Sequence, residues 1–151
     1  MRPKVRSHVI LVKSILDYQR FVSRTDWLGK GLKLYASLRH KFWSTITASD
    51  IHRLASICAD LDLPHPTGIV VHQNAIIGPR CVLMQQVTIG IVASGIAPVL
   101  GSDVYVGAGA KVLGGIHIGN RAWIGANAVV LEDVPDDCTA VGIPARIIHR
   151  I

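Results

Sequence analysis

The chain has 151 residues, half of them apolar, with 16 Lys/Arg against 10 Asp/Glu; that suits one folded domain with a modest core and excludes a disordered chain. No apolar run approaches the ~18 residues a membrane-crossing helix needs, and the first apolar stretch carries Lys13 and no small-residue cleavage site after it, so a cytoplasmic protein is expected. Cys58, Cys81 and Cys138 show neither a CxxC pair nor Cys/His ligand spacing and are expected to be reduced and structural.

Charge divides the chain. Residues 1–48 hold ten Lys/Arg against Asp17 and Asp26, a net of +8, while residues 49–151 hold six against eight acidic residues, a net of −2. The front portion, beginning with "SHVILVKSILDY", reads as a basic helical N-terminal segment (1–48) with one or two helices over parts of residues 8–46. Its charge is open to peripheral contact with an anionic membrane surface, although a solvated helix face explains it equally simply. No RNA-binding motif accompanies the charge, and no nucleic acid partner is expected.

From Leu100 an aliphatic residue recurs at every sixth position: Leu100, Val106, Val112, Ile118, Ile124 and Val130. Gly follows it four times (Gly101, Gly107, Gly119, Gly125), and four residues after it stand Val104, Ala110, Ile116, Ala122, Ala128 and Val134. A period of six fits neither a helix nor an alternating strand. It describes short strands joined by tight turns, three to a coil of about 18 residues, with the aliphatic residue stacked inside a prism and the smaller one filling beside it. Val71, Ile77, Leu83 and Ile89 extend the rule upstream, with Ala75, Cys81 and Val87 as fillers, so Cys81 is expected to be a small buried hydrophobe. Gly107 and Gly125 read as turn residues. The β portion is assigned to 49–151, with its regular coils over about 50–135.

Two places break the period. Ile89 to Leu100 is a step of eleven, so about five residues of "GIVASGIAP" must leave the coil as a projecting loop. Ile51, Ile57 and Leu63 keep the step of six, but Leu63 to Val71 is eight, and the slip falls at "PHPTGIV" around His65. Irregular turns on a rigid scaffold are where binding chemistry concentrates.

The stretches "DIHRLASICADLDLPHPTGIVV", "VTIG", "VGAGAKVLGGIHIGNRAWIGANAVVLEDVP" and "GIPARII" resemble the hexapeptide-repeat acyltransferases, and among them the serine acetyltransferases. The resemblance implies a mainly β fold, a left-handed parallel β-helix behind a short α-helical segment, assembled as a homotrimer with active sites between subunits. It implies an acetyl-CoA-dependent O-acetyltransferase in which His65 is the general base and Asp50 its partner. An alcohol attacks a thioester slowly unless its proton leaves as the bond forms, and an imidazole, titrating near 6.5, is suited to take it. A carboxylate on the other ring nitrogen would fix the tautomer and stabilise the imidazolium. The acetyl-CoA is expected along small residues, Ala108 and Ala126, which are 18 apart and stack on one face. Lys111, Arg146 and Arg150 are candidates for its phosphates, and Pro144 belongs to the "GIPARII" tail. Cys58 and Cys81 fall at repeat positions, so transfer is expected to be direct, without an acyl-enzyme. The remaining histidines offer no pair with metal-ligand spacing, and no metal is expected.

The acceptor is where this chain departs from the resemblance. Serine acetyltransferases carry an Arg-His pair in the protruding loop, whereas "GIVASGIAP" holds no charge, and desolvating a carboxylate without a cation is costly. The sequence therefore points first to a saccharide hydroxyl in polysaccharide biosynthesis, with serine, or a non-catalytic trimeric scaffold, as the alternatives.

Overall fold

A computed structural model describes residues 7–149, so Arg150 lies outside the described residues. Among the described residues two helices, α1 (Ser7–Phe21) and α2 (Trp27–Thr47), lead into fourteen short strands: β1 (Asp50–Ile51), β2 (Ser56–Ile57), β3 (Val70–Val71), β4 (Ile76–Ile77), β5 (Val82–Leu83), β6 (Thr88–Gly90), β7 (Val99–Leu100), β8 (Tyr105–Val106), β9 (Lys111–Leu113), β10 (His117–Ile118), β11 (Trp123–Ile124), β12 (Val129–Val130), β13 (Cys138–Gly142) and β14 (Ala145–His149). The strands form three parallel sheets, the faces of a prism. The first is β1-β3-β6-β9-β12, the second β2-β4-β7-β10, and the third β5-β8-β11-β13, closed by antiparallel β14. These are the coils the sixfold period described, wound as the left-handed parallel β-helix that the resemblance implied, an exception to the usual right-handed crossover.

The second residue of each two-residue strand points inward. Ile51, Val71, Ile89, Val112 and Val130 stack along the first face with 0–2% exposure, and the filler residues Ala75, Cys81, Val87, Val104, Ala110, Ala122 and Ala128 are equally buried. Each stacked aliphatic contributes roughly 1.5–3 kcal/mol by leaving water. Burial pushes the Cys81 thiol up to about 11, and it remains an uncharged filler whose Sγ lies 3.1 Å from the Gly101 carbonyl.

Strand register accounts for both breaks in the period. Asp50 pairs with Val70, so the first coil spans 20 residues, whereas Val70 pairs with Thr88 at the regular 18. Ile76 pairs with Val99, a coil of 23 that carries the five-residue insertion. A third slip appears at the end: Ile118 pairs with Val134 after only 16 residues. Val134 therefore occupies an aliphatic stacking position and not the filler position its spacing suggests. The prism also runs past residue 135, because β13 continues the third face.

The glycines after the aliphatic residues are required for a reason the sequence reading did not give. Left-handed φ at the corners belongs mostly to Arg80, Gln86, Asp103, Arg121, Asn127 and Asp137, with Gly68 and Gly109. Gly107 is needed for space, since a Cβ there would stand 2.6 Å from the Ala126 nitrogen in the next coil.

Helix α1 closes the open end of the prism with Leu11, Val12 and Ile15, all buried in the common core, and Gln19 Nε2 donates to the carbonyls of Arg53 and Ala55. Helix α2 begins at Asp26, whose carboxylate accepts from Gly29 N, and an Arg39–Asp17 ion pair joins the two helices. The opposite side of α2 is unpartnered: Leu34, Leu38, Phe42 and Ile46, each four residues apart, are 58–61% exposed. No helix among the described residues is long and apolar enough to cross a membrane.

Candidate active site

His65 lies in the corner between the third and first faces, inside the two-residue slip. The bulge is held by backbone: Thr67 N donates to His65 O at 2.7 Å and Gly68 N to Ala48 O at 3.0 Å, while the Ser49 hydroxyl donates to the Pro66 carbonyl. Gly68 sits at φ +67°, a conformation that suits glycine. The His65 side chain is exposed and free of these contacts, so the bulge presents it outward.

Above His65 the same corner continues as a backbone ladder. Gln86 N donates to Thr67 O at 2.8 Å, Gly109 N to Gln85 O at 2.9 Å and Asn127 N to Ala108 O at 2.8 Å. Ala108 and Ala126 therefore stand on the edge that carries His65, and three strand spacings, about 14 Å, separate the bulge from Ala126. Lys111 belongs to this edge as well. Its Nζ donates to the Gln86 carbonyl at 2.9 Å, which leaves two of its three N–H groups for a ligand. The register Ile124–Ala140 carries Gly142 to the top of the edge, and Pro144 and Arg146 follow it, lining a cavity of about 570 Å³ with Leu131 and Glu132. The structure thus aligns His65, Lys111, Ala108, Ala126 and Pro144 along one edge, but it does not gather them into one cavity.

Asp50 opens β1 on the first face and is exposed. Its amide donates to Ile69 O at 2.8 Å, so the backbone of the His65 bulge runs directly beside it. Among the described residues no hydrogen bond joins the Asp50 carboxylate to the His65 ring. Asp50 instead forms a wall shared by two cavities. One of about 290 Å³ lies over the first face between His52, His72 and Gly90; the other, about 490 Å³, lies between the first coil and α2 and includes His40, Lys41, His52 and Arg53. His52 and His72 stack at equivalent positions, each accepting at Nδ1 from the amide two residues on, 3.2 Å away. His40 lies in α2. In the structure its Nε2–H donates to the Ile51 carbonyl at 2.9 Å, and burial, foremost, holds its pKa below the ordinary value. Helix spacing gave no sign of that contact, because it depends on where α2 crosses the first coil.

The loop after Gly90 leaves the prism as the spacing required. Ile91, Val92 and Ile96 are 41–61% exposed, and its base rests on the next coil, where a Cβ at Gly115 would meet Ile96 at 2.6 Å. Among the described residues no three His, Cys, Asp or Glu side chains converge as a metal site would need.

Residues 97–134 match the bacterial transferase hexapeptide (six repeats) family model. The serine acetyltransferase of Synechococcus elongatus (strain ATCC 33912 / PCC 7942 / FACHB-805) is 45% identical over 108 residues, covering 70% of this chain and 44% of that protein. Among solved structures, a serine acetyltransferase in complex with CoA is 36% identical with a TM-score of 0.72, covering 89% of this chain and 55% of its own. The serine acetyltransferase of Brucella abortus strain S19 is 32% identical with a TM-score of 0.72 over 95% of this chain and 68% of its own. The chain spans about half the length of the curated relatives it matches. The coverage of the Brucella abortus enzyme and the shared sixfold coil together establish that this chain belongs to the hexapeptide-repeat acyltransferases, in the family of the serine acetyltransferases.

Proposed function

We propose that the chain is an acetyl-CoA-dependent O-acetyltransferase whose acceptor is the hydroxyl of L-serine. The observation that carries the reading is the edge of the prism, which sets an outward-facing imidazole at one end of a line of small residues. Ala108 and Ala126 leave room there for the arm of an acyl donor, as bulkier side chains would not. Acetyl-CoA supplies a thioester carbonyl as the electrophile.

His65 takes the proton from the acceptor hydroxyl as the new C–O bond forms and the C–S bond breaks, then returns it to the departing thiolate. Direct transfer suits the cysteines: Cys81 is buried and held protonated, a poor nucleophile. Asp50 is the orienting partner in this scheme. Its backbone amide donates to the Ile69 carbonyl just past the bulge, and its carboxylate is expected to reach the ring only when substrates bind, since catalytic hydrogen bonds are often long or poorly aligned in free enzymes.

The acceptor suggested by the loop alone was a saccharide. The relatives and structures described above are serine acetyltransferases, and they move the reading to serine. We also assign a homotrimer, in which the apolar stripe of α2 and the loop after Gly90 supply surface for a neighbouring subunit. Exposed apolar patches of this kind mark protein contacts. Incubating the protein and acetyl-CoA with L-serine and, separately, nucleotide sugars, while following thiol release, tests the assignment. Release that depends on serine supports it, release only with sugars restores the saccharide reading, and no release with any acceptor leaves a scaffold. A monomer by light scattering at micromolar concentration would remove the shared site.

A further inference from the structure

The geometry points to the cavity between the first coil and α2 as the subsite for the acceptor's carboxylate, with Arg53 as its principal cation and Lys41 as its second. This inference rests on the serine reading above and says how this chain meets a requirement of that substrate. A free amino acid brings a carboxylate, and burying one against protein needs a cation with directed N–H donors. The loop from Ile91 to Pro98 has none. Elsewhere on the prism Arg80 and Arg121 are already committed, each forked onto the carboxylate of Asp103 or Asp137 at 2.6–2.7 Å. Lys111 belongs to the donor edge, and Arg146 lies at its far end.

Arg53 differs from these. Its guanidinium lies over the Tyr18 ring with Cζ 4.7 Å from the centroid, and Nη1 donates to the Ser37 hydroxyl at 2.9 Å. A neutral hydroxyl and a ring face fix its position without cancelling its charge, and among the described residues no ion pair is formed by Arg53 or Lys41. The cavity they line has a volume of about 490 Å³, borders Asp50, and offers the Ser44 and Thr45 hydroxyls as further donors. The remaining titratable lining consists of His52 and of His40, which burial keeps toward its neutral form. A space with two unpaired cations beside the proposed orienting carboxylate is suited to a small zwitterion and not to a neutral sugar.

The test compares L-serine with L-serinamide, which keeps the hydroxyl and the amine and replaces the carboxylate by a neutral amide. The wild-type protein should prefer serine in kcat/KM. Arg53→Gln should lose about 10- to 100-fold in kcat/KM for serine, the loss of a hydrogen bond to a charged group, while serinamide turnover and the KM for acetyl-CoA change little. Lys41→Gln should act in the same direction more weakly, and Arg53→Lys should restore part of the preference while keeping a cation against Tyr18. Equal losses for both acceptors, or an unchanged serine preference in Arg53→Gln and Lys41→Gln, would overturn the subsite and leave the serine reading standing. If the wild-type protein acetylates sugars but neither serine nor serinamide, the serine reading fails and the subsite fails with it.

Discussion

Replacing Gly107 by alanine tests how tightly the coils stack beside the proposed donor edge. The new Cβ would stand 2.6 Å from the Ala126 nitrogen and 2.9 Å from both the Gly125 carbonyl carbon and the Ile124 oxygen, where ordinary contact begins at 3.4 Å. The overlap is thus about 0.8 Å, and it falls on backbone that cannot rotate away. Two ladder bonds pin that backbone, Gly107 N to Ile124 O and Asn127 N to Ala108 O, both 2.8 Å, so relief requires parting the coils. Overpacking of this kind typically costs about 1–3 kcal/mol, and a backbone neighbour puts Gly107→Ala near the upper end. At roughly 2–4 °C per kcal/mol for a protein of this size, the midpoint should fall by about 6–12 °C. Thermal denaturation followed by circular dichroism at one fixed protein concentration measures it, since assembly would make the midpoint depend on concentration. Two companions bracket the effect. At Gly125 the Cβ would meet Val141 Cγ1 at 2.7 Å, a side chain able to turn, so Gly125→Ala should cost less. At Gly31, in α2, nothing lies within 4 Å, and Gly31→Ala should stabilise by about 0.5–1 kcal/mol through helix propensity. A Gly107→Ala protein melting within a degree or two of wild type, or a Gly125→Ala protein melting below it, would refute the spatial account of these glycines.

His65→Ala should reduce kcat by about 10²- to 10⁴-fold with CoA affinity nearly unchanged, and Asp50→Asn should be milder; steady-state kinetics beside CoA titration separate the two, and a loss of CoA affinity equal to the loss of rate would contradict the base role. Ala126→Trp adds bulk at an exposed point of the edge, so it should weaken CoA binding by about tenfold or more without lowering the melting temperature, and unchanged binding by calorimetry would move the donor elsewhere. Because the Cys81 thiol titrates at about 11 in the folded protein against 9.0 ordinarily, the folded state binds that proton more tightly; its contribution is complete below pH 9 and is lost as the pH rises toward 11. Denaturant titrations from pH 8 to 11 should therefore show a steeper loss of stability in wild type than in Cys81→Ala. His40 runs the other way: burial, foremost, lowers its pKa although the hydrogen bond to Ile51 pulls it up, so the burial of its neutral ring supports the fold above the ordinary histidine range, and that contribution is lost as the pH falls below it. His40→Gln should be less sensitive to mild acid than wild type, as read by the same titrations between pH 7 and 5.

The prism was legible in the repeat. A strict sixfold recurrence of aliphatic residues admits one economical burial scheme, and its two interruptions located the bulge at His65 and the loop after Gly90, because each extra residue in a closed coil must go to a corner. The slip at Val134 escaped notice because the residue is buried in either register, and only strand pairing with Ile118 tells the two apart. Periodicity read Gly107 as a turn residue, yet its φ is not left-handed and it is needed for close approach: whether a glycine serves a turn or a close approach depends on what the next coil places against it, 18 residues away. The candidate site divides along the same line. His65, Ala108 and Ala126 were legible because motif and repeat number fix their corner. Arg53 and His40 were not, since their partners, Tyr18 and Ser37 for one and Ile51 for the other, belong to elements whose relative placement no local pattern encodes. That placement follows from how α1 caps the prism and α2 crosses the first coil, a packing decision made by the buried Leu11, Val12 and Ile15 together with Ala36, and it exists only once the chain has folded.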